Sequence, residues 1–299
     1  MPKTKPTQTQ AHFNGKLIQH APNVHELQFD NVSAGFEQWV FLSGDRHHDN
    51  QYCDWDLERK HLEQCADKNA PIIDVGDLFC AMQGKWDKRS DQNQMRPEHR
   101  VNKYLDALVS TAADFYEPYA GLFALLGRGN HETSITGHHG VDLTSNLVYE
   151  LNRRGGTAHA GGYGGWVTFH FIVNKTVRQS VRLKYFHGSG GGGPVTRGVI
   201  DTNRQSVFLD NADIVLNGHT HDAYILPIRC ESLSVAHKVE LGYRYFVRVP
   251  GYKDEYRDGA GGWHVERGAP PKPTGGAWLR FRTEGAKNRV VYDVIMADK

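Results

Sequence analysis

The chain has 299 residues, of which 39% are hydrophobic and 23% charged, a composition typical of a globular protein that buries a sizeable core. Its 35 basic and 34 acidic residues give a formal net charge of +1, which excludes a chain that binds polyanions through overall positive charge. The four cysteines lack the spacing of a zinc ribbon, and no run of about 18 apolar residues occurs, so we expect a cytoplasmic protein without a membrane span.

Strand and helix patterns alternate in the first part of the chain, and strand patterns dominate the last part. Asp54 and Asp142 are predicted N-caps because each precedes an amphipathic helical pattern. Besides one or two edge strands within 16–30, we predict strands over 39–42, 71–75, 123–126, 167–173, 181–186, 214–216, 224–228, 243–249, 278–281 and 290–295. We predict helices over 55–66, over 101–112, between Asp142 and Gly155, and over 203–209.

This order of elements predicts an α/β protein of the α+β sandwich type, in which two packed mixed β-sheets are flanked by helices. We expect three parts along the chain. Residues 1–35 form an arm with edge strands, residues 36–230 form the core, and residues 231–299 form a strand-rich extension packed on that core.

Residues whose side chains commonly bind metal ions follow five of the predicted strands. They are Asp45 and His47, Asp77, Asn130 and His131, His187, and His219 and His221. Ligand sites in sheets of this kind gather at the carboxyl ends of the strands. Carboxylate, imidazole and amide ligands suit Mn, Fe or Zn, and the number of candidate ligands exceeds the four of one tetrahedral site. The pattern therefore predicts a site for two ions about 3.5–4 Å apart.

The five blocks, taken in order, resemble the signature of the calcineurin-like metallophosphoesterases. The blocks are Asp45-x-His47, Gly76-Asp77, Gly129-Asn130-His131-Glu132, His187, and Gly218-His219-x-His221, and with their strands they span residues 39 to 222. Within that family, the chain looks most similar to the DNA-repair and phage-type exonuclease branch. That similarity rests on the 188–197 loop, the 213–221 block and the 270–273 proline-rich segment.

The resemblance implies a dinuclear phosphodiesterase in which a hydroxide that bridges two metal ions attacks phosphorus. It assigns Asp45, His47 and His221 to one ion, Asn130, His187 and His219 to the other, and Asp77 to a bridge between them. We expect two divalent ions per chain, with Mn²⁺ as the leading choice and Fe, Zn or Ni as alternatives.

In the family pattern, the histidine that follows the asparagine ligand contacts the phosphate and protonates the leaving oxygen, a role that falls on His131 here. Glu132 is expected to orient His131, with Asp49 or Asp222 as alternatives. One position departs from the pattern: Cys80 stands where the family often has an acid.

We also predict substrate contacts beside the ligands. Arg46, His48 and Arg128 are expected to hold phosphate oxygens. Gly188 and Gly190 are expected to let the substrate approach closely, since glycine brings no side chain.

A phosphodiester substrate, with DNA as the expected one, agrees with the basic residues near His187. These are Lys175, Arg178, Arg182, Lys184, Arg197 and Arg204. The alternatives are a phosphomonoesterase or a small cyclic-nucleotide phosphodiesterase on the same metal centre, and a binding scaffold that lost the chemistry. The Gly-x-Gly-x-x-Gly match at 188–193 does not predict a dinucleotide site, because Pro194 follows it at once. A homo-oligomer is left open.

Overall fold

The computed structural model of the protein describes residues 10–81, 94–191, 198–257, 262–266 and 268–298. Its strands form two mixed β-sheets, one with seven and one with six strands. Helices flank these sheets, so the predicted fold class is confirmed. None of the helices in these ranges is long and apolar enough to cross a membrane.

The two sheets draw their strands from distant parts of the chain. In spatial order, the seven-stranded sheet contains β1 (Lys16–Ala21), β2 (Val24–Val32), β7 (Gly164–Val173), β8 (Val177–Phe186), β9 (Ile214–Asn217), β11 (Val239–Arg248) and β10 (Tyr224–Leu233). The six-stranded sheet contains β13 (Arg289–Met296), β12 (Ala277–Glu284), β3 (Glu37–Ser43), β4 (Ile72–Asp74), β5 (Phe123–Leu126) and β6 (His159–Ala160). Strands β3 to β6 are parallel, and β8, β9 and β11 are parallel.

The helices are α1 (Trp55–Asp67), α2 (Tyr104–Tyr116), α3 (Asn130–His139), α4 (Leu143–Arg153), α5 (Val199–Phe208) and the short α6 (Trp263–Glu266). The predicted caps are confirmed, since Asp54 accepts from the Leu57 amide and Asp142 from the Ser145 amide. Helix α2 begins three residues later than expected, and Val101 is 50% exposed outside it. Helix α3 was not predicted, because its weak apolar pattern gives no amphipathic signal.

One core lies between the sheets and consists of aliphatic and aromatic side chains from their facing surfaces. Phe169 and Phe171 of β7 each lie 4.9 Å from Phe281 of β12, measured between ring centroids. A second core lies between the other face of the six-stranded sheet and helices α1, α2 and α4. Strand β12 pairs with β3, so the C-terminal strands belong to this sheet. The predicted division into three parts stays a prediction, and its boundary at residue 230 falls inside β10.

Backbone hydrogen bonds bring together the loops that follow the parallel strands. After β3, the amides of Asp45 and His47 donate to the carbonyls of Gly76 and Asp77 after β4, at 2.8 and 3.0 Å. In the other sheet, the Gly218 amide after β9 donates to the His187 carbonyl after β8, at 2.8 Å. The carboxyl ends of strands from both sheets therefore meet at one place, as the sequence pattern predicted.

Candidate metal centre

Asp45, His47 and His221 form one group of candidate ligands. Their ligand atoms all lie within 4.8 Å of one another. The Nε2 atoms of His47 and His221 are 3.2 Å apart, and His221 Nε2 is 3.5 Å from Asp45 Oδ1. Two ring nitrogens and a carboxylate oxygen thus point at one small volume, as the three ligands of a single cation do.

A second group contains Asp77, His187, His219 and Asn130. His187 Nε2 lies 3.1 Å from Asp77 Oδ2 and 3.3 Å from Asn130 Oδ1. His219 Nδ1 lies 2.7 Å from the same asparagine oxygen. Asp77 also lies within 4.8 Å of His47, so its carboxylate stands between the two groups. All seven residues that the resemblance marks as ligands therefore converge.

The backbone at these residues is unusual. Asp45, His47, Asp77, His219 and His221 all have positive φ angles, between 47° and 74°. Non-glycine residues rarely adopt this left-handed conformation, and where they do it is enriched at functional sites. Each of the five residues lies in a loop that follows a strand.

Glycines beside the ligands are required by close packing. A Cβ on Gly129 would lie 2.0 Å from Asp77 Oδ1, and a Cβ on Gly218 would lie 2.4 Å from Asp45 Oδ2. These glycines let the backbone amides of neighbouring residues reach the carboxylates. The His131 amide donates to Asp77 Oδ1 at 2.9 Å, and the His219 amide donates to Asp45 Oδ2 at 2.7 Å.

Carbonyl groups orient two of the imidazole rings. His187 Nδ1 donates to the Val75 carbonyl at 3.1 Å, and His131 Nδ1 donates to the Cys80 carbonyl at 2.7 Å. Because a carbonyl only accepts, both Nδ1 atoms carry a proton. The Nε2 atom of each ring is therefore the one that faces Asp77, at 3.1 Å for His187 and 3.9 Å for His131.

Burial controls the electrostatics of the site. It raises the pKa of the Asp45 carboxyl well above its usual range. For Asp77, burial also favours the neutral form, but the charges of His187 and His131 outweigh it and hold the pKa well below its usual range. Burial lowers the pKa of His47, and its effect on His187 is overcome by Asp77, which raises that pKa to about 10.

The residues fit divalent cations. Asp45 Oδ1 is buried and has no hydrogen-bond partner among the described residues. An unpaired buried oxygen of this kind is costly unless something else supplies the missing positive charge or donor. The Nε2 atoms of His47 and His221 face each other at 3.2 Å beside this oxygen, and a ring nitrogen that carries no proton is a ligand for a divalent cation. A cation at this place would be bound by all three atoms.

Two predicted substrate contacts, Arg46 and His48, are corrected by the structure. Arg46 is fully buried, and its guanidinium donates to Asp74 at 2.7 Å and to Glu58 at 2.8 Å. His48 is 1% exposed and pairs with the same Glu58 at 2.9 Å. Because these side chains point into the protein and neutralise buried carboxylates, neither is available to a phosphate. Proximity in sequence to a ligand was a misleading signal.

Replacing Arg46 by Met is expected to lower the free energy of unfolding by about 3–5 kcal/mol, because Glu58 and Asp74 would each lose a buried partner. Urea unfolding measures this change. The matched control is Arg280→Met, which breaks the partly exposed pair with Glu37 and should cost about 1 kcal/mol or less. An Arg46→Met protein of unchanged stability with weakened substrate binding would restore the predicted substrate role.

Glu132 also has a different task from the predicted one. Its carboxylate accepts the backbone amides of Asp77 at 3.0 Å, Phe79 at 2.9 Å and Gly129 at 2.8 Å. It thereby ties the loop after β4 to the start of α3. Burial and the neighbouring Asp77 raise the pKa of Glu132 to about 8. The group that orients the His131 ring is the Cys80 carbonyl, not Glu132.

The alternatives Asp49 and Asp222 act elsewhere as well. Asp49 accepts the amides of Cys80 at 2.6 Å and Ala81 at 2.9 Å, so it holds in place the carbonyl that orients His131. Asp222 pairs with Lys272 at 2.7 Å. Asp49 therefore supports His131 through the loop, and Asp222 does not.

The remaining predicted contacts have mixed placements. Arg128 is one-third exposed and pairs with Asp142, which also caps α4. Gly188 has a φ of 129°, and a Cβ there would meet the His219 Cβ at 2.7 Å, so packing against a ligand requires this glycine. Around Gly190, no atom of the described part of the chain lies within 4 Å of a Cβ position. A role of Arg128, Gly188 and Gly190 in substrate binding stays a prediction.

The basic residues do not form one patch around His187. Arg178 lies nine residues before His187 on the extended strand β8, which places it about 30 Å away. Lys175 lies further still, in the turn before that strand, while Lys184 covers the Trp166 ring at 5.4 Å. Arg197 lies outside the described residues. The number of basic residues close to His187 in the sequence was therefore misleading, because residues a few positions apart on an extended strand lie far apart in space.

Two residues that support the site were not predicted as such. Cys80 Sγ lies 3.1 Å from His47 Nδ1 and receives a hydrogen bond from Asn50 Nδ2 at 3.3 Å. Arg248 is buried and donates to the Gly218 carbonyl at 2.9 Å and to Thr220 Oγ1 at 3.0 Å, which braces the loop that carries two ligands. The sequence offered one signal for Arg248: like the ligands, it stands at the carboxyl end of an apolar strand.

Replacing Cys80 by Ala is expected to weaken metal binding by about 10–100-fold, since groups that hold a ligand ring in place typically contribute that much. Competition with a chelator measures the affinity directly. Cys65→Ala is the control, because it also removes a fully buried thiol but from the core behind α1. Equal affinities in both variants would show that the Cys80 thiol does not support His47.

No protein-family model and no curated protein matches the sequence. Several solved structures resemble the chain, and three of them serve as examples. A Thermotoga maritima protein determined by NMR has 11% identity and a TM-score of 0.31, covering 87% of this chain and 99% of its own. GAP50, the anchor in the inner membrane complex of Plasmodium, has 10% identity and a TM-score of 0.38, covering 88% and 90%. A metallophosphoesterase from Sphaerobacter thermophilus has 12% identity and a TM-score of 0.32, covering 86% and 88%. We therefore infer function from the residues of the site alone.

Proposed function

We propose that this protein is a metal-dependent phosphoesterase of the calcineurin-like type, and that it cleaves phosphodiesters on two divalent ions. One observation carries the proposal: the side chains of five separate sequence blocks converge on two adjoining groups, and Asp77 of one group also lies within 4.8 Å of His47 of the other. Sites with two adjacent cations and a shared carboxylate are typical of phosphoryl transfer. The carboxylate, imidazole and amide ligands favour Mn²⁺, with Fe, Zn and Ni as alternatives.

Each group of ligands has a defined part in this proposal. Asp45, His47 and His221 would hold one ion, and His187, His219 and Asn130 would hold the other. Asp77 lies between them, and its carboxylate reduces the repulsion between two cations. When bound, the ions lower the pKa of water and neutralise charge on the phosphate oxygens.

His131 is proposed as the general acid. Its Nδ1 proton is engaged by the Cys80 carbonyl at 2.7 Å, and its Nε2 points towards Asp77. A proton on Nε2 is therefore the one that the ring can transfer to a leaving oxygen. The ring is 7% exposed, so its orientation is maintained by packing as well as by that hydrogen bond.

The open backbone after His187 supports a diester over a monoester. Among the described residues, no atom lies within 4 Å of a Cβ position at Gly190 or at Gly191. These two glycines themselves bring no side chain that a second ester group on phosphorus would meet. DNA is the proposed diester, and a small cyclic nucleotide is the alternative. The basic residues of β8 do not surround the site, so the choice between the two depends on the substrate assay.

The proposal is tested with purified protein and defined metals against four substrates: bis-aryl phosphate, mono-aryl phosphate, single-stranded DNA and duplex DNA. We expect Mn²⁺-dependent cleavage of the bis-aryl ester and of DNA, faster on single strands because these bend more easily into the metal site. Hydrolysis of the mono-aryl ester far above the other three would contradict a phosphodiesterase. Cleavage of the bis-aryl ester but of neither DNA would replace the nuclease by a small-molecule phosphodiesterase.

A further inference from the structure

The hairpin of β10 and β11 forms one edge of the seven-stranded sheet. Strand β10 pairs with β11 along its whole length, from Tyr224 opposite Arg248 to Leu233 opposite Val239. Within the residues that the structure describes, no strand pairs with the other side of β10. This strand therefore presents backbone donors and acceptors that a further strand can use.

The hairpin geometry shows which residues face outward along this edge. At the hairpin end, the Ser234 amide donates to the Lys238 carbonyl at 2.9 Å. Hydrogen-bonded and non-hydrogen-bonded pairs alternate in an antiparallel ladder, so even-numbered β10 residues direct their backbone groups to β11. The odd-numbered residues, among them Arg229 and Glu231, direct theirs outward. Pro227 belongs to the outward set, where its missing N–H removes no hydrogen bond to β11 but leaves the outer edge of β10 with one donor fewer.

Arg229 and Glu231 can form opposite-charge pairs when two copies of β10 lie side by side. When two copies of β10 pair antiparallel around a two-fold axis, outward residues must face outward residues, so the axis passes through a residue. An axis at Arg229 or at Glu231 would place like charges directly opposite each other, which is destabilising. An axis at Cys230 places Arg229 of each copy opposite Glu231 of the other copy, which gives two opposite-charge pairs. Axes further along the strand leave both charges without a partner.

The same hairpin exposes an apolar group of side chains. Leu233, Val239, Leu241 and Tyr243 are 51% to 68% exposed, and the register puts all four on one face. Contiguous exposed apolar side chains are rare on a monomer and mark interaction sites. A two-fold axis at Cys230 keeps the equivalent faces of both copies on the same side of the joined sheet. The two apolar groups then lie on one face of the joined sheet, separated by the Arg229 and Glu231 side chains of both copies.

We propose that β10 is the interface of a homodimer, in which two copies of this chain join their seven-stranded sheets with the two-fold axis at Cys230. The Cys230 residues then form a non-hydrogen-bonded pair, whose Cα atoms are about 4.5 Å apart. That separation lies within the range that a disulfide spans. The other three cysteines are buried, so Cys230 is the thiol that can link two copies.

Sedimentation and cross-linking of the full chain test the interface without reference to catalysis. We expect a dimer that shifts to monomer on dilution, and a covalent dimer on non-reducing gels after mild oxidation with copper phenanthroline. Cys230→Ser should keep the sedimenting dimer and lose the covalent one. A monomer at every concentration, or a dimer in which Cys230 does not cross-link, overturns the proposal.

A charge swap tests the register. Glu231→Arg places Arg229 opposite an arginine at both symmetric positions, and we expect the dimer Kd to rise roughly tenfold or more. Arg229→Glu combined with Glu231→Arg restores opposite charges and should restore the Kd. Both residues lie on an exposed edge, and circular dichroism shows whether each variant is folded. A double variant that dimerises as weakly as Glu231→Arg overturns the axis at Cys230.

Discussion

The Asp77→Asn protein is expected to lose both metal ions and nearly all activity. Asp77 Oδ2 lies 3.1 Å from His187 Nε2, and the residue also groups with His47, so its charge serves both halves of the site. An amide keeps the size of the side chain but removes the negative charge that two adjacent cations require. Elemental analysis after reconstitution should give about two ions per chain for the unaltered protein and clearly fewer for the variant.

Two further variants make this result specific to the bridge. His47→Asn removes a ligand of one group only, so it should reduce the affinity for one ion more than for the other. Asp30→Asn neutralises an aspartate that pairs with Lys16 on a distant edge strand, and it should leave the metal content unchanged. An Asp77→Asn protein that retains two tightly bound ions and full activity would show that Asp77 does not bridge them.

The His131→Asn protein is expected to retain its fold and metals while its catalytic rate falls by roughly 10²–10⁴, the usual contribution of a positioned acid. Asn cannot supply the proton that His131 Nε2 is placed to donate. The decrease should shrink for an ester with a good leaving group, such as a nitrophenyl ester, because that oxygen needs no proton. Steady-state rates for esters of graded leaving-group pKa measure this dependence.

The His131→Asn substitution should disturb the structure little. The His131 amide, which Asn keeps, donates to Asp77 Oδ1 at 2.9 Å, so this contact should survive. His170→Asn, at a surface histidine that contacts Ser180, controls for loss of a ring elsewhere. An equal decrease for good and poor leaving groups would mean that His131 positions the phosphate and transfers no proton.

Most strands and helices, and a set of candidate ligands, could be predicted from the sequence, whereas α3, β6 and α6 were not predicted. All five polar blocks begin within four residues of the end of a strand, so local patterning indicated their position. Asp54 and Asp142 marked helix starts because capping depends on neighbours in the chain. The left-handed φ angles at five of the candidate ligands could not be predicted from local sequence patterns, since they depend on packing at the strand ends.

Only the tertiary structure decided what the residues beside the ligands do. Arg46 follows Asp45 in the chain, yet its partners Glu58 and Asp74 come from α1 and β4 and turn it away from any substrate. Cys80 looked like a lost acid, but its thiol contacts His47 and its carbonyl orients His131. A buried charge or ring takes its role from the groups that satisfy it, and these groups are brought to it by sheet pairing between distant segments.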